Sequence, residues 1–258
     1  MLNDGELADF QHAGLLRLPD AVPAPDAAAI VDRIWDHLNR SHGVARDRRE
    51  TWTLDQPTGL RAITAEPEFD ALGSPPVRAA LDDLLGAGHW QTPRRWGRLL
   101  VTFPSARRRW ALPAGGAWHN DFVPLRSGTA LRAVQFFVIL KDLPPRGGAT
   151  LVLTGSHRLV TRYIADTGDA PHPSLVRRAL GEHSWLRDLW EPPQTATDDQ
   201  RIHRYTIEGA RIRDVDLRIV ELTGHAGDAF IMHGDTFHAA APNTSDEPRM
   251  MATNVILT

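Results

Sequence analysis

Cysteine is absent from this chain of 258 residues. Its absence excludes disulfide bonds, thiolate metal sites and a cysteine nucleophile, and it is compatible with a reducing cytosol. Long apolar runs are also missing: the longest spans residues 133–140, far short of the roughly 20 residues that a membrane span needs. The acidic N-terminus lacks the apolar region of a signal peptide. We therefore expect a soluble, cytoplasmic protein.

A strong net charge is lacking as well. The formal charge is −3 at neutral pH, so no overall field favours nucleic acid or an anionic membrane. We expect neither as a partner.

Hydrophobic residues make up 42% of the chain, enough for a sizeable core. Residues 1–90 are predicted to be mainly helical, beginning with a helix over residues 4–18. From residue 96 the pattern changes to short, partly alternating apolar runs separated by Gly, Pro, Asp and Asn, which is typical of an antiparallel sandwich or barrel. We predict one domain over 1–258, with helices packed on a β-core and a lid-like insertion at about 160–215.

A candidate metal-binding pair lies in the stretch "AWHNDFVP", which contains His119 and Asp121. On an extended strand, residues two apart point to the same face. An imidazole and a carboxylate side by side can therefore share one metal ion. Alone, this pair is weak evidence, because such a spacing also occurs by chance.

A third ligand would complete two histidines and one carboxylate, the set that leaves open positions on non-haem Fe(II). His225 and His157 lie in turns, so the choice falls between His233 and His238. Arg249 favours His238, because a hairpin through residues 244–248 would bring this arginine beside it. An arginine there could bind the far carboxylate of a dicarboxylate cosubstrate with two parallel hydrogen bonds. His233 is then predicted to be a neighbouring or structural residue.

Together with the motifs around them, these residues make the sequence resemble the phytanoyl-CoA dioxygenase family of Fe(II)- and 2-oxoglutarate-dependent oxygenases. The resemblance implies a double-stranded β-helix, a cupin-like jelly roll. It also implies iron bound by His119, Asp121 and His238, 2-oxoglutarate bound by Arg249, and O₂ as the oxidant. The motifs that carry it are "LADFQHAGLLRLP" (7–19), "WHND" (118–121), "RGGATLVLTGSHR" (146–158) and "FHAAAPNTSDEPR" (237–249).

Three further positions follow from this resemblance. Gln135 matches a polar position that can line the cosubstrate site, although a polar residue on a sheet surface is an equal alternative. Many members carry a hydroxyl residue two positions after the distal histidine, where this chain has Ala240, so one cosubstrate contact is absent or supplied elsewhere. Related halogenases replace the carboxylate ligand by a small residue. The presence of Asp121 therefore predicts hydroxylation or another oxidation.

Two other functions fit the same residues. The histidines and aspartate could hold zinc or manganese in a non-oxidative cupin, as a Lewis acid for an isomerase or hydrolase. The chain could also be a catalytically silent binding protein on this scaffold. The non-oxidative cupin leaves Arg249 and the family motifs unexplained, and the intact set of three ligands argues against the silent binding protein.

The substrate is expected to be a small molecule, with a secondary metabolite as the narrower expectation. Basic residues at 93–98 and 105–110 could attract an acidic substrate such as a CoA thioester or a carrier-protein arm, but solvated loops are the preferred interpretation. "HSWLRDLW" (183–190) could close over the substrate, whereas core packing is the default for its tryptophans.

Overall fold

The computed structural model of the chain describes residues 1–105, 109–121, 131, 133–167 and 173–258. Helices dominate its N-terminal part and strands its centre and C-terminal part. The elements of the described residues are α1 (Asp4–Ala13), β1 (Leu15–Leu18), α2 (Ala24–His42), α3 (Pro75–Leu85), β2 (Arg98–Thr102), β3 (Ala133–Ile139), β4 (Thr150–Thr154), α4 (Ser156–Thr167), α5 (Pro173–Leu180), α6 (Ser184–Trp190), α7 (Asp198–Ile202), β5 (Ala210–Ile212), β6 (Val215–Glu221), β7 (Ala229–His233), β8 (His238–Ala240) and β9 (Arg249–Leu257). Short 3₁₀ segments cover Arg49–Thr51, Leu60–Ala65, Pro67–Gly73 and Gly115–Ala117, and a π-helical turn covers His203–Glu208.

The strands form two antiparallel sheets. The five-stranded sheet has the order β1-β7-β3-β9-β2 and the four-stranded sheet the order β5-β6-β4-β8. Because each apolar sheet face must be covered, the two sheets pack against each other. This is the jelly-roll arrangement. The interior between the sheets is apolar and is lined from both sides by Phe137, Ile139, Val152, Phe230, Met232 and Met251.

Strand β3 shows why a strand of this core has a nearly continuous apolar sequence. All seven of its residues are buried, because both faces of the strand are covered. Phe137 and Ile139 face the interior. Val134, Phe136 and Val138 instead pack in the core that includes helix α2. By alternation, Gln135 shares the interior face with Phe137.

The predicted first helix, 4–18, is wrong at its C-terminal end. Helix α1 stops at Ala13, where Gly14 adopts a left-handed conformation with φ of 70° and its N–H caps the carbonyl of Phe10. Residues Leu15–Leu18 then pair with β7. Their leucines continue the helical apolar spacing, so only the distant partner strand reveals that they are extended.

The predicted hairpin between the His238 and Arg249 segments is also wrong. Strand β8 pairs with β4 in the four-stranded sheet, whereas β9 pairs with β3 and β2 in the five-stranded sheet. The turn between them carries the chain from one sheet to the other. His238 and Arg249 therefore contribute to the interior from opposite sheets.

The insertion packs on the outer face of the four-stranded sheet. Leu151 and Leu153 on β4 share a core with buried side chains of α6, and the Trp190 ring lies 5.6 Å from that of Phe237. The tryptophans at 185 and 190 are therefore core residues. A lid role for 160–215 stays a prediction. Among the described helices, none combines the length and the apolar character that crossing a bilayer demands.

Candidate metal centre and anion site

His119, Asp121 and His238 meet at one edge of the interior. One potential ligand atom of each residue lies within 4.8 Å of the other two. Nε2 of His119 is 3.6 Å from Oδ1 of Asp121, and Nε2 of His238 is 3.7 Å from Oδ2 of the same carboxylate. Two imidazole nitrogens and a carboxylate are a suitable donor set for a first-row divalent metal.

The backbone fixes the two histidines relative to each other. His119 and His238 form an isolated antiparallel bridge in which each N–H donates to the other's carbonyl, at 3.0 and 2.9 Å. Directly opposite residues in such a pair project to the same side, and the two rings lie 4.4 Å apart. Two hydrogen bonds thus set the position of both imidazoles.

Each histidine is also fixed in its tautomer. Nδ1 of His119 lies 2.9 Å from the carbonyl of Ala117, and Nδ1 of His238 lies 3.2 Å from that of Thr236. A carbonyl only accepts, so in both neutral rings Nδ1 carries the proton and Nε2 keeps its lone pair. Burial lowers the pKa of His238 to about 4, with nearby His119 acting in the same direction and Asp121 opposing it. This ring is therefore unprotonated at neutral pH, as a metal ligand must be.

One side of the cluster is open. The side chain of His238 is 6% exposed, but those of His119 and Asp121 are 48% and 36% exposed. Three protein ligands on one side leave positions for exogenous molecules on the other. The arrangement suits a reactive metal rather than a structural one.

Arg249 is a buried cation on the interior face of β9. Its Nη1 donates to the carbonyl of Gly148 at 2.7 Å and its Nη2 to the hydroxyl of Thr102 at 3.0 Å. Its Nε finds no hydrogen-bond partner among the described residues. Burial lowers its pKa to about 10. Within the described parts of the chain, no carboxylate pairs with it. A buried charge without a counter-ion is costly, so this guanidinium is suited to receive an anion.

Gln135 lies on the interior face and is buried rather than on a sheet surface. Its Nε2 donates to the Thr253 hydroxyl at 3.3 Å, and its Oε1 accepts no hydrogen bond from the part of the chain that the structure describes. The strand register places it opposite Val255 on β9, six residues beyond Arg249. It therefore lies away from the guanidinium.

The other candidate histidines lie elsewhere. His233 stacks on His157 with 4.7 Å between ring centroids, on the side of the five-stranded sheet that faces α1. His157 bonds the carbonyl of Gln11. His225 has a side chain that is 80% exposed. Each agrees with its prediction as a structural or solvated residue.

The stacked pair predicts acid sensitivity. Burial lowers the pKa of His157 to about 4 and that of His233 to about 3, the latter helped by His157. In the unfolded chain both titrate near 6.5, so the unfolded state takes up protons first as the pH falls. Each imidazole should cost roughly 2 kcal/mol of folding free energy between pH 7 and pH 5.

Urea denaturation of the wild type and His157→Gln across this range measures the effect. The variant should show a clearly smaller loss of stability, whereas His225→Gln should follow the wild type. Equal slopes in all three proteins would contradict the assignment.

Two arginines of the insertion, which the sequence patterns did not single out, bind the segment that leads to His119. Arg177 on α5 donates from Nη1 to the carbonyls of Gly115 and Trp118, both at 3.1 Å. Arg201 on α7 is buried, and burial lowers its pKa. It donates to the carbonyls of Leu112, Pro113 and Leu189. Trp118, which is fully buried, donates from its indole nitrogen to the carbonyl of Pro113.

Arg177 should therefore influence metal affinity without touching the metal. Its partner, the carbonyl of Trp118, belongs to the peptide bond that precedes His119. Arg177→Met keeps the aliphatic length and removes both hydrogen bonds. It should weaken zinc or cobalt binding about 10-fold, which is the lower end of the effect seen when a residue that supports a metal ligand is removed. Chelator competition gives the dissociation constant. The exposed neighbour Arg178, as Arg178→Met, is the matched control, and unchanged affinity in the Arg177 variant would refute the link.

The two basic segments that could attract an acidic substrate, 93–98 and 105–110, are described only in part. In residues 93–98, Arg94 and Arg95 are exposed, and Nη1 of Arg95 donates to the carbonyl of Arg61. Of residues 105–110, positions 106–108 lie outside the described residues.

Comparison with known proteins is consistent with this geometry. A model of the phytanoyl-CoA dioxygenase family matches residues 10–251. An ectoine dioxygenase from Nocardia farcinica (strain IFM 10152) is 27% identical over 139 residues, which are 52% of this chain and 39% of that protein. The similarity thus spans well under half the length of this curated relative.

Solved structures resemble the whole chain. HygX from Streptomyces hygroscopicus, with nickel and 2-oxoglutarate bound, superposes with a TM-score of 0.57 at 17% identity and covers 100% of this chain and 87% of its own. SnoK, a non-heme alpha-ketoglutarate-dependent carbocyclase from nogalamycin biosynthesis, gives 0.52 at 19% identity over 99% and 84%. At these identities the likeness is one of fold, and the predicted jelly roll is confirmed.

Proposed function

The chain belongs to the phytanoyl-CoA dioxygenase family, and from this premise we propose that it is an Fe(II)- and 2-oxoglutarate-dependent oxygenase. The observation that carries the proposal is the pairing of two sites across one interior. A cluster of two imidazoles and a carboxylate lies on one side. On the other lies a buried guanidinium for which the described residues provide no carboxylate partner. A dicarboxylate that chelates a metal with one end needs a cation for its other end.

His119, Asp121 and His238 would hold the iron, and Arg249 would bind the far carboxylate of 2-oxoglutarate through its planar fork. Bound iron would supply the activation of O₂, with one oxygen atom entering the substrate and the other entering succinate as CO₂ leaves. The chain itself contributes binding, orientation and exclusion of water. The Nδ1 hydrogen bonds hold both imidazoles in the ligating tautomer. Phe137, whose ring lies 6.4 Å from that of His238, forms part of the apolar wall.

Gln135 is proposed to line the same site at its His238 end. Its Oε1, to which no described residue donates, is an acceptor that a substrate or a bound water could use.

Within the oxygenases we propose hydroxylation or a related oxidation rather than halogenation. The supporting observation is the Asp121 carboxylate, which lies within 4 Å of both imidazoles. As a third protein ligand, Asp121 would occupy the position that a halide would need.

The test is anaerobic addition of Fe(II) and then 2-oxoglutarate to the purified protein. A weak visible metal-to-ligand charge-transfer band is expected, followed on admission of O₂ by oxygen consumption and succinate formation. Folded, iron-loaded protein without the band, and without succinate, would refute the proposal.

A non-oxidative, zinc- or manganese-dependent enzyme is the alternative that the same cluster supports. It gives no role to the buried Arg249. Metal analysis combined with oxygen consumption separates the two: a zinc protein that consumes no oxygen would favour the alternative.

We propose a small-molecule substrate, and a secondary metabolite as the narrower choice. A small molecule suits the partly exposed edge formed by His119 and Asp121. Mass spectrometry of a candidate compound after turnover under ¹⁸O₂ would show whether one labelled oxygen enters it.

A further inference from the structure

A cavity lies outside the jelly-roll interior, between helices α1, α3 and α4 and the end of β7. Its volume is about 550 Å³, which falls within the range of small-molecule sites. Strand β7 contributes His233 to its lining. The preceding residue, Met232, packs in the interior, and successive strand residues point to opposite faces. The five-stranded sheet therefore separates this cavity from the metal cluster.

Helix α4 forms a polar wall of the cavity. Residues four apart lie on the same helix face, and two such pairs line it: His157 with Thr161, and Arg158 with Arg162. The Thr161 hydroxyl donates to the carbonyl of His157 at 3.0 Å, so the helix itself uses that hydroxyl. One imidazole and two guanidinium groups are left on this wall for a ligand.

The other helices contribute apolar side chains. Leu7 and Phe10 come from α1 and Leu84 from α3, and Leu131 adds to this part of the lining. Phe10 is buried, but the three leucines are only half-buried. The apolar body of a ligand would remove their exposed surface from water, which is favourable.

The polar wall carries an unbalanced positive charge. Arg162 donates from both terminal nitrogens to the carboxylate of Asp214, and Nη2 of Arg158 lies 3.6 Å from the same carboxylate. Asp166, the one carboxylate of α4, pairs instead with Arg213 at 3.4 Å. Within the part of the chain that the structure describes, two guanidinium groups thus share one carboxylate. A ligand with a single negative charge complements this wall.

Asp83 on α3 does not offset this charge. It is the acidic residue of the described lining, and its carboxylate accepts from the main-chain N–H of Leu2 at 2.5 Å. The carboxylate is therefore engaged with the segment before α1, and the cavity as a whole favours an anion.

The stacked imidazoles of His157 and His233 offer one acceptor and one donor. Nε2 of His157 lies 3.1 Å from the carbonyl of Gln11 and so carries the proton, which leaves Nδ1 as a buried acceptor to which no described residue donates. In His233, Nδ1 accepts from the main-chain N–H of Asp235 at 3.1 Å, so its proton is on Nε2. A metal ion would need a lone pair from each ring. The pair is therefore suited to a hydrogen-bonding ligand.

We propose that this cavity binds a small molecule with an apolar body and a single carboxylate, at a site separate from the metal cluster and Arg249. The carboxylate lies against Arg158 on α4, with the Nε2–H of His233 as a second donor, and the apolar body covers the leucines of α1 and α3. The inference goes beyond the proposed function and does not depend on it, because the cavity shares no residue with the metal cluster.

The test is calorimetric titration of octanoate into the metal-free protein, with 1-octanol and octylammonium as probes of the same chain length. Octanoate should bind at one site per chain, at least 10-fold more tightly than either other probe, because only octanoate complements the unbalanced charge. Without metal, octanoate cannot be held by an ion at the cluster. Arg249→Met protein should bind octanoate like the wild type, since that guanidinium belongs to the interior.

Arg158→Met keeps the aliphatic length and removes the charge. It should weaken octanoate binding about 10- to 100-fold, as expected for a hydrogen bond to a charged group, and should leave the affinity for 1-octanol unchanged. Arg213→Met is the matched control, because this arginine pairs with α4 through Asp166 but does not line the cavity. The control should bind octanoate like the wild type.

Leu84→Trp fills the cavity from α3 and should abolish octanoate binding. Leu7→Trp fills it from α1, so the test stays decisive if one of these two variants does not fold. Binding of 1-octanol or octylammonium as tight as that of octanoate, unchanged octanoate affinity in Arg158→Met, or loss of octanoate binding in Arg249→Met would each overturn the inference. Wild-type protein that binds no octanoate would overturn it as well.

Discussion

Arg249→Met is expected to abolish measurable 2-oxoglutarate binding while leaving the fold intact. Removing one partner of a buried, hydrogen-bonded charge pair costs on the order of 2 to 5 kcal/mol, which is roughly 30- to several thousand-fold in the dissociation constant. Lysine should restore only part of this loss, because an ammonium group lacks the planar fork. Titration of zinc-loaded protein with 2-oxoglutarate measures the change.

Stability of the metal-free protein should respond differently. The wild type buries a cation for which no carboxylate partner occurs in the described residues, so an apolar side chain of similar length removes a desolvation cost. It also removes the bonds to Gly148 and Thr102, and the net change in unfolding free energy should stay within about 2 kcal/mol. Arg98→Met, at an exposed position of the neighbouring strand β2, is the control. Near wild-type affinity in Arg249→Met would show that the anion binds elsewhere.

His238→Ala is expected to abolish metal binding at micromolar metal, and all succinate formation with it. Loss of a residue that hydrogen-bonds to a metal ligand already weakens metal affinity about 10- to 100-fold. Loss of the ligand itself, here a fixed and unprotonated imidazole, should weaken the affinity more. Fluorescence or chelator competition with zinc and cobalt gives the affinity. Cobalt spectra also report the number of ligands that remain.

The matched control for this variant is His225→Ala, the same substitution at an 80% exposed histidine. It should bind metal like the wild type. His233→Ala is informative in a different way, because its ring belongs to the stack with His157. It should lose stability and keep metal affinity. A His238→Ala protein that still bound metal tightly would move the centre away from the cluster.

The sequence predicts the β-core well because its signal is local. A short apolar run such as residues 133–139 indicates a strand even when its partner strands are unknown. Gly and Pro mark the ends of other such runs in the core. The His119 and Asp121 pair is equally local, since alternation alone puts both side chains on one face. The choice of His238 over His233 agrees with the observed cluster, although the hairpin behind it is wrong.

What could not be predicted depends on register and on sheet membership. A short connection between 240 and 249 looks like a hairpin in sequence, but nothing local says that the chain changes sheets there. Arg177 and Arg201 bind main-chain carbonyls from helices of the insertion, and no residue pattern marks such contacts.

The reciprocal backbone bridge between His119 and His238 has a consequence for metal selectivity. Because main-chain hydrogen bonds position both imidazoles, two of the three ligands are set before any ion binds and need not be organised by one particular ion. Divalent affinities then follow the usual order, in which copper, nickel and zinc bind such sites more tightly than ferrous iron. Cellular metal supply, rather than the protein, would decide which ion is loaded, so inactivation by mis-metallation is the vulnerability built into this architecture.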